Sequence, residues 1–314
     1  DKGRGRGTIG IRYGRAERFQ RPRPVVWDGR RQAGAGIFGP SCPQVGDRYR
    51  PQGEDCLFLN VWEPKPEARA GGPRPVMVYF HGGAYSTGSV ADPLNDGARL
   101  ANRGDVVVVT VNHRLNAFGY LYLGRLDPRY PDSGNAGQLD LILALQWVQR
   151  NISAFGGDPA NITVFGQSGG GAKIATLMAM PEAKGLFHKA ITMSGQQVTA
   201  AGPRAATQRA QIAMQAVGAR DVQALLALPV PALLTATRAR DPSRVESTSL
   251  YVGPVVDGGA LPVHPFWPQA PGQSAGIPMV IGNTHDETRA FLGHDPANFA
   301  LTWAVFLSMC FLVV

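Results

Sequence analysis

Apolar residues along this chain come in short unbroken runs. VMVYF (76–80) and DVVVVTV (105–111) contain no polar residue in alternate positions. A strand with one face in water alternates, whereas a continuous run suits a sheet covered on both faces. CLFLNVW (56–62), NITVFG (161–166), KAITMS (189–194) and IPMVIGN (277–283) read as further strands. QLDLILALQWVQRNI (138–152) places apolar residues at helical spacing and reads as an amphipathic helix. GGAKIATLMAM (170–180) reads as a helix, 203–239 is rich in alanine and helix, and DETRAFLG (286–293) opens another helix. Residues 1–52, rich in Arg, Gly and Pro, suggest short strands and loops. Strand and helix alternate, which predicts an α/β fold: a mostly parallel central sheet, right-handed crossovers and helices on both faces. No internal repeat or dividing linker is visible, so 1–314 reads as a single domain.

Composition changes this picture little. The 314 residues, 44% hydrophobic, suffice for a sizeable core. The net charge of +8 first suggests an acidic partner, but residues 1–31 hold ten Lys and Arg against three acids, leaving the rest nearly neutral. Without a recognition helix this reads as a solvated arginine-rich surface, and no nucleic-acid partner is expected. The uncharged tail FALTWAVFLSMCFLVV (299–314) falls short of the about 20 apolar residues of a spanning helix. It reads as a core helix or strand, and no membrane span is expected. Cys42 and Cys56 flank a polar loop, and Cys310 lies far away. Their spacing alone leaves a disulfide and two reduced thiols equally open.

The chemistry centres on FGQSGGG (165–171). Gly166-Gln167-Ser168-Gly169-Gly170 fits G-x-S-x-G between a strand and a helix. Glycines flanking the serine let the backbone turn sharply and leave Oγ exposed, with the helix N-terminus aimed at the site. A serine hydroxyl is a weak nucleophile without a base and oxyanion donors. HGGAY (81–85) leaves strand 76–80 and can bring backbone N–H groups to a substrate oxygen. No His/Cys/carboxylate spacing suggests a metal. The glycine run lacks the Lys-Ser/Thr of a nucleotide loop, so no cofactor is expected.

EDCLFLNVW (54–62) and FGGDPANITVFGQSGG (155–170) resemble the two signatures of the type-B carboxylesterases, a family of α/β-hydrolases. WDG, FGPSCPQ, FHGGAY, VNHRLNAFGY, GNAGQLD, LFHKAITMSG, GPVVDG and IGNTHDE stand in the family's order, and the likeness runs to about residue 303. The resemblance implies a serine hydrolase that cleaves small-molecule carboxylic esters through an acyl-enzyme on Ser168. It implies that Gly83, Ala84 and Gly169 supply oxyanion amides, with Gly82 shaping the loop. It makes Glu287 the acid, 119 residues after Ser168. It also implies a Cys42–Cys56 disulfide and, with it, a secreted or periplasmic home; reduced thiols would favour the cytoplasm. Ser168 and Glu287 are expected to face one cleft floored by HGGAY. Gln167 and Gly169 depart from the family's usual Glu and Ala.

The base is the serious departure. Five histidines, His81, His113, His188, His264 and His285, precede Glu287 in segments with other roles, and His294 follows it by only seven residues. The family's histidine lies on the order of a hundred residues after the acid. The chain is therefore expected to be a fragment, truncated before the last strands, with its N-terminus also incomplete. The alternative is a non-catalytic or inactive relative without the base.

Overall fold

The computed structural model describes residues 6–29, 37–65, 72–241, 249–287, 293, 296–300 and 302–303. Among these the strands are β1 (Arg6–Arg12), β2 (Gly14–Arg15), β3 (Arg23–Pro24), β4 (Phe58–Glu63), β5 (Arg74–Phe80), β6 (Val107–Val111), β7 (Gly157–Gln167), β8 (Lys189–Met193) and β9 (Met279–Gly282). The α-helices are α1 (Ala98–Gly104), α2 (Asn116–Tyr120), α3 (Ala136–Asn151), α4 (Gly169–Leu177), α5 (Pro203–Ala216), α6 (Val222–Leu226) and α7 (Val230–Ala236).

Seven strands form one sheet in the order β1-β4-β6-β5-β7-β8-β9, and β2 pairs with β3 separately. β1–β4 and β4–β6 are antiparallel; every other neighbour pair of the large sheet is parallel. Both faces are covered over the central strands, as the unbroken apolar runs require, while β9 at the edge is mostly exposed. Val108 and Trp62 pack on Ala98 and Ala101 of α1. Side chains alternate along a strand, so Val107 and Val109 face the other way, into a core with Val76, Val78 and α3 residues Leu141, Leu145 and Val148. Each such buried aliphatic side chain stabilises the fold by about 1.5–3 kcal/mol. Residues 203–239 contain α5, α6 and α7, which form a second cluster with Phe19, Tyr85 and Leu250.

Several elements differ from expectation. α3 is buried on all sides from Ala136 to Leu145, and only its C-terminal end, with Gln146, Gln149 and Arg150 toward solvent and Trp147 and Val148 buried, is amphipathic. Its buried polar residues are satisfied internally. Gln138 Nε2 donates to the Lys173 carbonyl at 3.0 Å, and Asp140 accepts from Arg114 N, Nε and Nη2 at 2.9, 2.9 and 2.7 Å. Strand β6 starts two residues late because Asp105, with φ 48°, caps α1. The predicted helix from 286 and the tail from Ala304 lie outside the described residues, Glu287 and a few others excepted.

The arginine-rich start is also more engaged than a solvated surface. Arg12 pairs with Asp55, and Arg21 with Asp132 and Glu182. Arg18 forks onto Glu54 at 2.7 and 2.6 Å and also donates to the carbonyls of Leu226 and Leu228. Cys42 and Cys56 are joined in a buried disulfide, with Cα atoms 5.0 Å apart.

Candidate functional site

β7 ends at Gln167 and α4 begins at Gly169, leaving Ser168 alone on the turn. Its φ of 54° and ψ of −127° lie in a region that L-residues rarely adopt. Ser168 N donates to Met193 O at 2.8 Å, and Ser168 O accepts from Ala172 N at 3.1 Å, which holds the turn from both sides. The tightness explains the glycines: a Cβ at Gly170 would stand 2.0 Å from the Phe80 carbonyl oxygen. Ser168 remains half-buried.

The HGGAY loop leaves β5, the neighbour of β7, and lies against this turn. A Cβ on Gly82 would come within 3.5 Å of Ser168 Cβ. A Cβ on Gly169 would stand 2.3 Å from Ala84 O, so this chain needs glycine there. Gly83 and Ala84 have φ of 88° and 51°. Among the described residues, neither of their N–H groups has an acceptor. Gly169 opens α4, where the first N–H groups have no intrahelical partner. The structure thus brings Gly82, Gly83, Ala84 and Gly169 together around Ser168.

Glu287 follows β9, two strands from β7 in the sheet. The Thr284 hydroxyl donates to its carboxylate. Thr284 N in turn donates to Ser194 Oγ at 3.1 Å, and Ser194 N to Gly282 O at 2.7 Å. Ser168 and Glu287 therefore stand at the carboxyl ends of the strands flanking β8, where open α/β sheets place ligands. An open cleft of about 600 Å³ is lined by Ser194, Gly195, Gln196, Asn283 and Glu287, and neither Ser168 nor the HGGAY loop lines it.

Four of the five described histidines are tied to backbone groups, and the fifth, His285, lines the cleft with Glu287. His81 Nδ1 bonds Gly82 O at 2.9 Å and His113 Nδ1 bonds Arg114 O at 3.1 Å; their rings stack 4.6 Å apart. Burial, reinforced by the Lys173 charge, lowers the His81 pKa to about 3 and also lowers that of His113. His188 and His264 accept from Ile162 N and Ala200 N. His285 is exposed beside Asp286. His294 lies outside the described residues.

Sequence reading missed Lys173. It is wholly buried, and burial brings its pKa down to about 7. Its Nζ donates to Ala84 O at 2.7 Å and His81 O at 3.2 Å, both in the oxyanion loop. The available signal was a lysine inside the otherwise apolar stretch GGAKIATLMAM.

The carboxylesterase family model matches residues 8–304. The para-nitrobenzyl esterase of Bacillus subtilis is 42% identical over 289 residues, covering 88% of this chain. The chain belongs to the carboxylesterase family. This carboxylesterase chain is also 36% identical to the fumonisin B1 esterase of Sphingopyxis macrogoltabida over 91% of its length. Its fold matches the crystal structure of a Geobacillus stearothermophilus carboxylesterase with a TM-score of 0.83, at 39% identity and over 96% of the chain. That likeness makes the fold an α/β-hydrolase. The chain spans 58% and 53% of the two curated relatives and 62% of the crystallised one.

Proposed function

We propose that this chain carries the acylating machinery of a carboxylic ester hydrolase, with Ser168 as nucleophile. The observation that carries the reading is the strained Ser168 turn with the HGGAY loop packed against it, where the Gly83 and Ala84 N–H groups have no acceptor among the described residues. Ser168 Oγ attacks the ester carbonyl carbon as its proton passes to a general base. The negative charge that develops on the carbonyl oxygen is met by the N–H groups of Gly83, Ala84 and Gly169. One such donor stabilises the transition state by about 2.7–4 kcal/mol, and the N-terminus of α4 adds a favourable dipole. Collapse breaks the bond to the alcohol oxygen, which leaves with the proton from the base. Water then attacks the acyl-enzyme, releasing the acid and restoring Ser168. Glu287 orients the base and stabilises its protonated form. Four of the described histidines are tied to backbone groups, and His285 sits two residues before Glu287 and pairs with Asp286, so the base is assigned outside the described residues.

The substrates are small-molecule carboxylic esters, in keeping with the ester hydrolases named among its relatives. The Cys42–Cys56 disulfide supports an oxidising, secreted or periplasmic setting. The test uses the longest protein that the gene encodes. A fluorophosphonate is expected to label Ser168, and Ser168→Ala to abolish both labelling and turnover of p-nitrophenyl acetate. Labelling or turnover that persists in Ser168→Ala overturns the assignment.

A further inference from the structure

Lys173 lies in α4 with no solvent-exposed surface. Its two carbonyl partners, His81 O and Ala84 O, bracket Gly82 and Gly83. A third direction from Nζ faces the Tyr85 ring, 5.5 Å from its centroid, within the range at which a cation is attracted to an aromatic face. Both hydrogen bonds and the ring contact of this cation are therefore to the segment 81–85. A trans peptide sets each N–H opposite its own carbonyl, so binding the His81 carbonyl turns the Gly82 N–H away from Lys173. Gly83 and Ala84 remain as loop amides without an acceptor among the described residues.

Gly169 completes the arrangement. Ala84 O would lie 2.3 Å, and Ala84 Cα 2.6 Å, from any Cβ at position 169. The missing side chain admits the carbonyl that Lys173 draws down. Ala84, at φ 51°, is held in a conformation costly for an L-residue. We propose that Lys173 and Gly169 act together as a positioning pair that sets the oxyanion loop over the Ser168 turn. Lys173 touches no reacting atom; it acts through Ala84 and His81. This inference rests on the ester-hydrolase reading for its kinetic test.

The pair is tested in the longest protein that the gene encodes, with Lys173→Met, Gly169→Ala and the double variant. Phosphonylation of Ser168 separates the maximal inactivation rate from the affinity for the fluorophosphonate. Each single variant is expected to lower the rate at least about tenfold with affinity within about twofold. Residues that act as a unit are non-additive, so the double variant should lose no more than about threefold beyond the worse single. Amide exchange of residues 82–88 should quicken in all three, with β5 and β7 unchanged. Multiplicative losses, or unchanged exchange in the loop, overturn the proposal. Should Lys173→Met fail to fold, Gly169→Ala still decides. The 314 residues hold only five lysines, so 13C labelling at lysine Cε reads Lys173 directly. Its signal is expected to move in Gly169→Ala, and an unmoved signal refutes the pair. If the wild-type protein is not labelled at Ser168, the ester-hydrolase reading fails, while the exchange and NMR results still decide the inference.

Discussion

The carbonyl oxygen of Ser168 lies so close to Gly195 that a Cβ there would stand 1.9 Å from it. The chain leaving β8 therefore runs against the serine turn, and Ser168 N is bonded to Met193 O on the same segment. Gly195→Ala must displace one of these two backbones. Overpacking of this kind costs about 1–3 kcal/mol, and the displaced turn should phosphonylate at least tenfold more slowly. Urea unfolding and labelling kinetics check both. A variant with wild-type stability and rate would mean that the turn is set elsewhere.

Arg114 and Asp140 form a buried ion pair, with side chains 4% and 0% exposed. Arg114 also donates to the carbonyls of Glu17 and Gln20, so the pair fastens the N-terminal segment to α3. Removing one partner leaves an uncompensated buried charge, at a cost of about 3–5 kcal/mol. Asp140→Ala is expected to lose that much in chemical denaturation at pH 7. A loss below about 1 kcal/mol, the range of exposed pairs, would contradict a buried pair.

Stability should fall in acid because of the stacked histidines. Burial lowers the His81 pKa from 6.5 to about 3 and lowers His113 in the same direction. Between about pH 3 and 6.5 the unfolded chain then binds more protons than the folded one, so stability rises with pH. Each group contributes a slope of up to about 1.4 kcal/mol per pH unit. Urea midpoints measured from pH 7 down to 4 should drop less steeply in His113→Gln than in the wild type. Lys173, lowered from 10.5 to about 7 by burial, gives a second rise in stability between those two values.

The Cys42–Cys56 bridge spans a sequence separation of 14 residues. For a loop of that size the chain-entropy model gives about 3 kcal/mol of stabilisation. Peptide mapping without reduction should recover the two cysteines linked, and reduction should lower the unfolding free energy by about that amount. Ready alkylation of both thiols in unreduced protein would refute the bridge.

What the sequence reveals, and what it hides, follows the distance between interacting residues. The Ser168 turn was legible because strand, glycines and helix start are contiguous. The HGGAY loop was legible because it follows an apolar strand directly. Lys173 was not, because its carbonyl partners lie 89 and 92 residues away. α3 was misread because Gln138 and Asp140 look like a solvent face until Lys173 O and Arg114 are brought to them. The five-residue α2, wholly buried, offers no periodicity long enough to see.

The Arg18 fork has a consequence for synthesis. Its guanidinium joins Glu54, 36 residues along the chain, to Leu226 O, 208 residues along. At roughly 5–20 residues per second on the ribosome, the Leu226 carbonyl is made some ten to forty seconds after Arg18. Through that interval β1 and β4 can already pair, while the guanidinium waits for two of its four hydrogen bonds. The segment around Arg18 is thus made well before helix α6, which acts as the latch that completes its bonding.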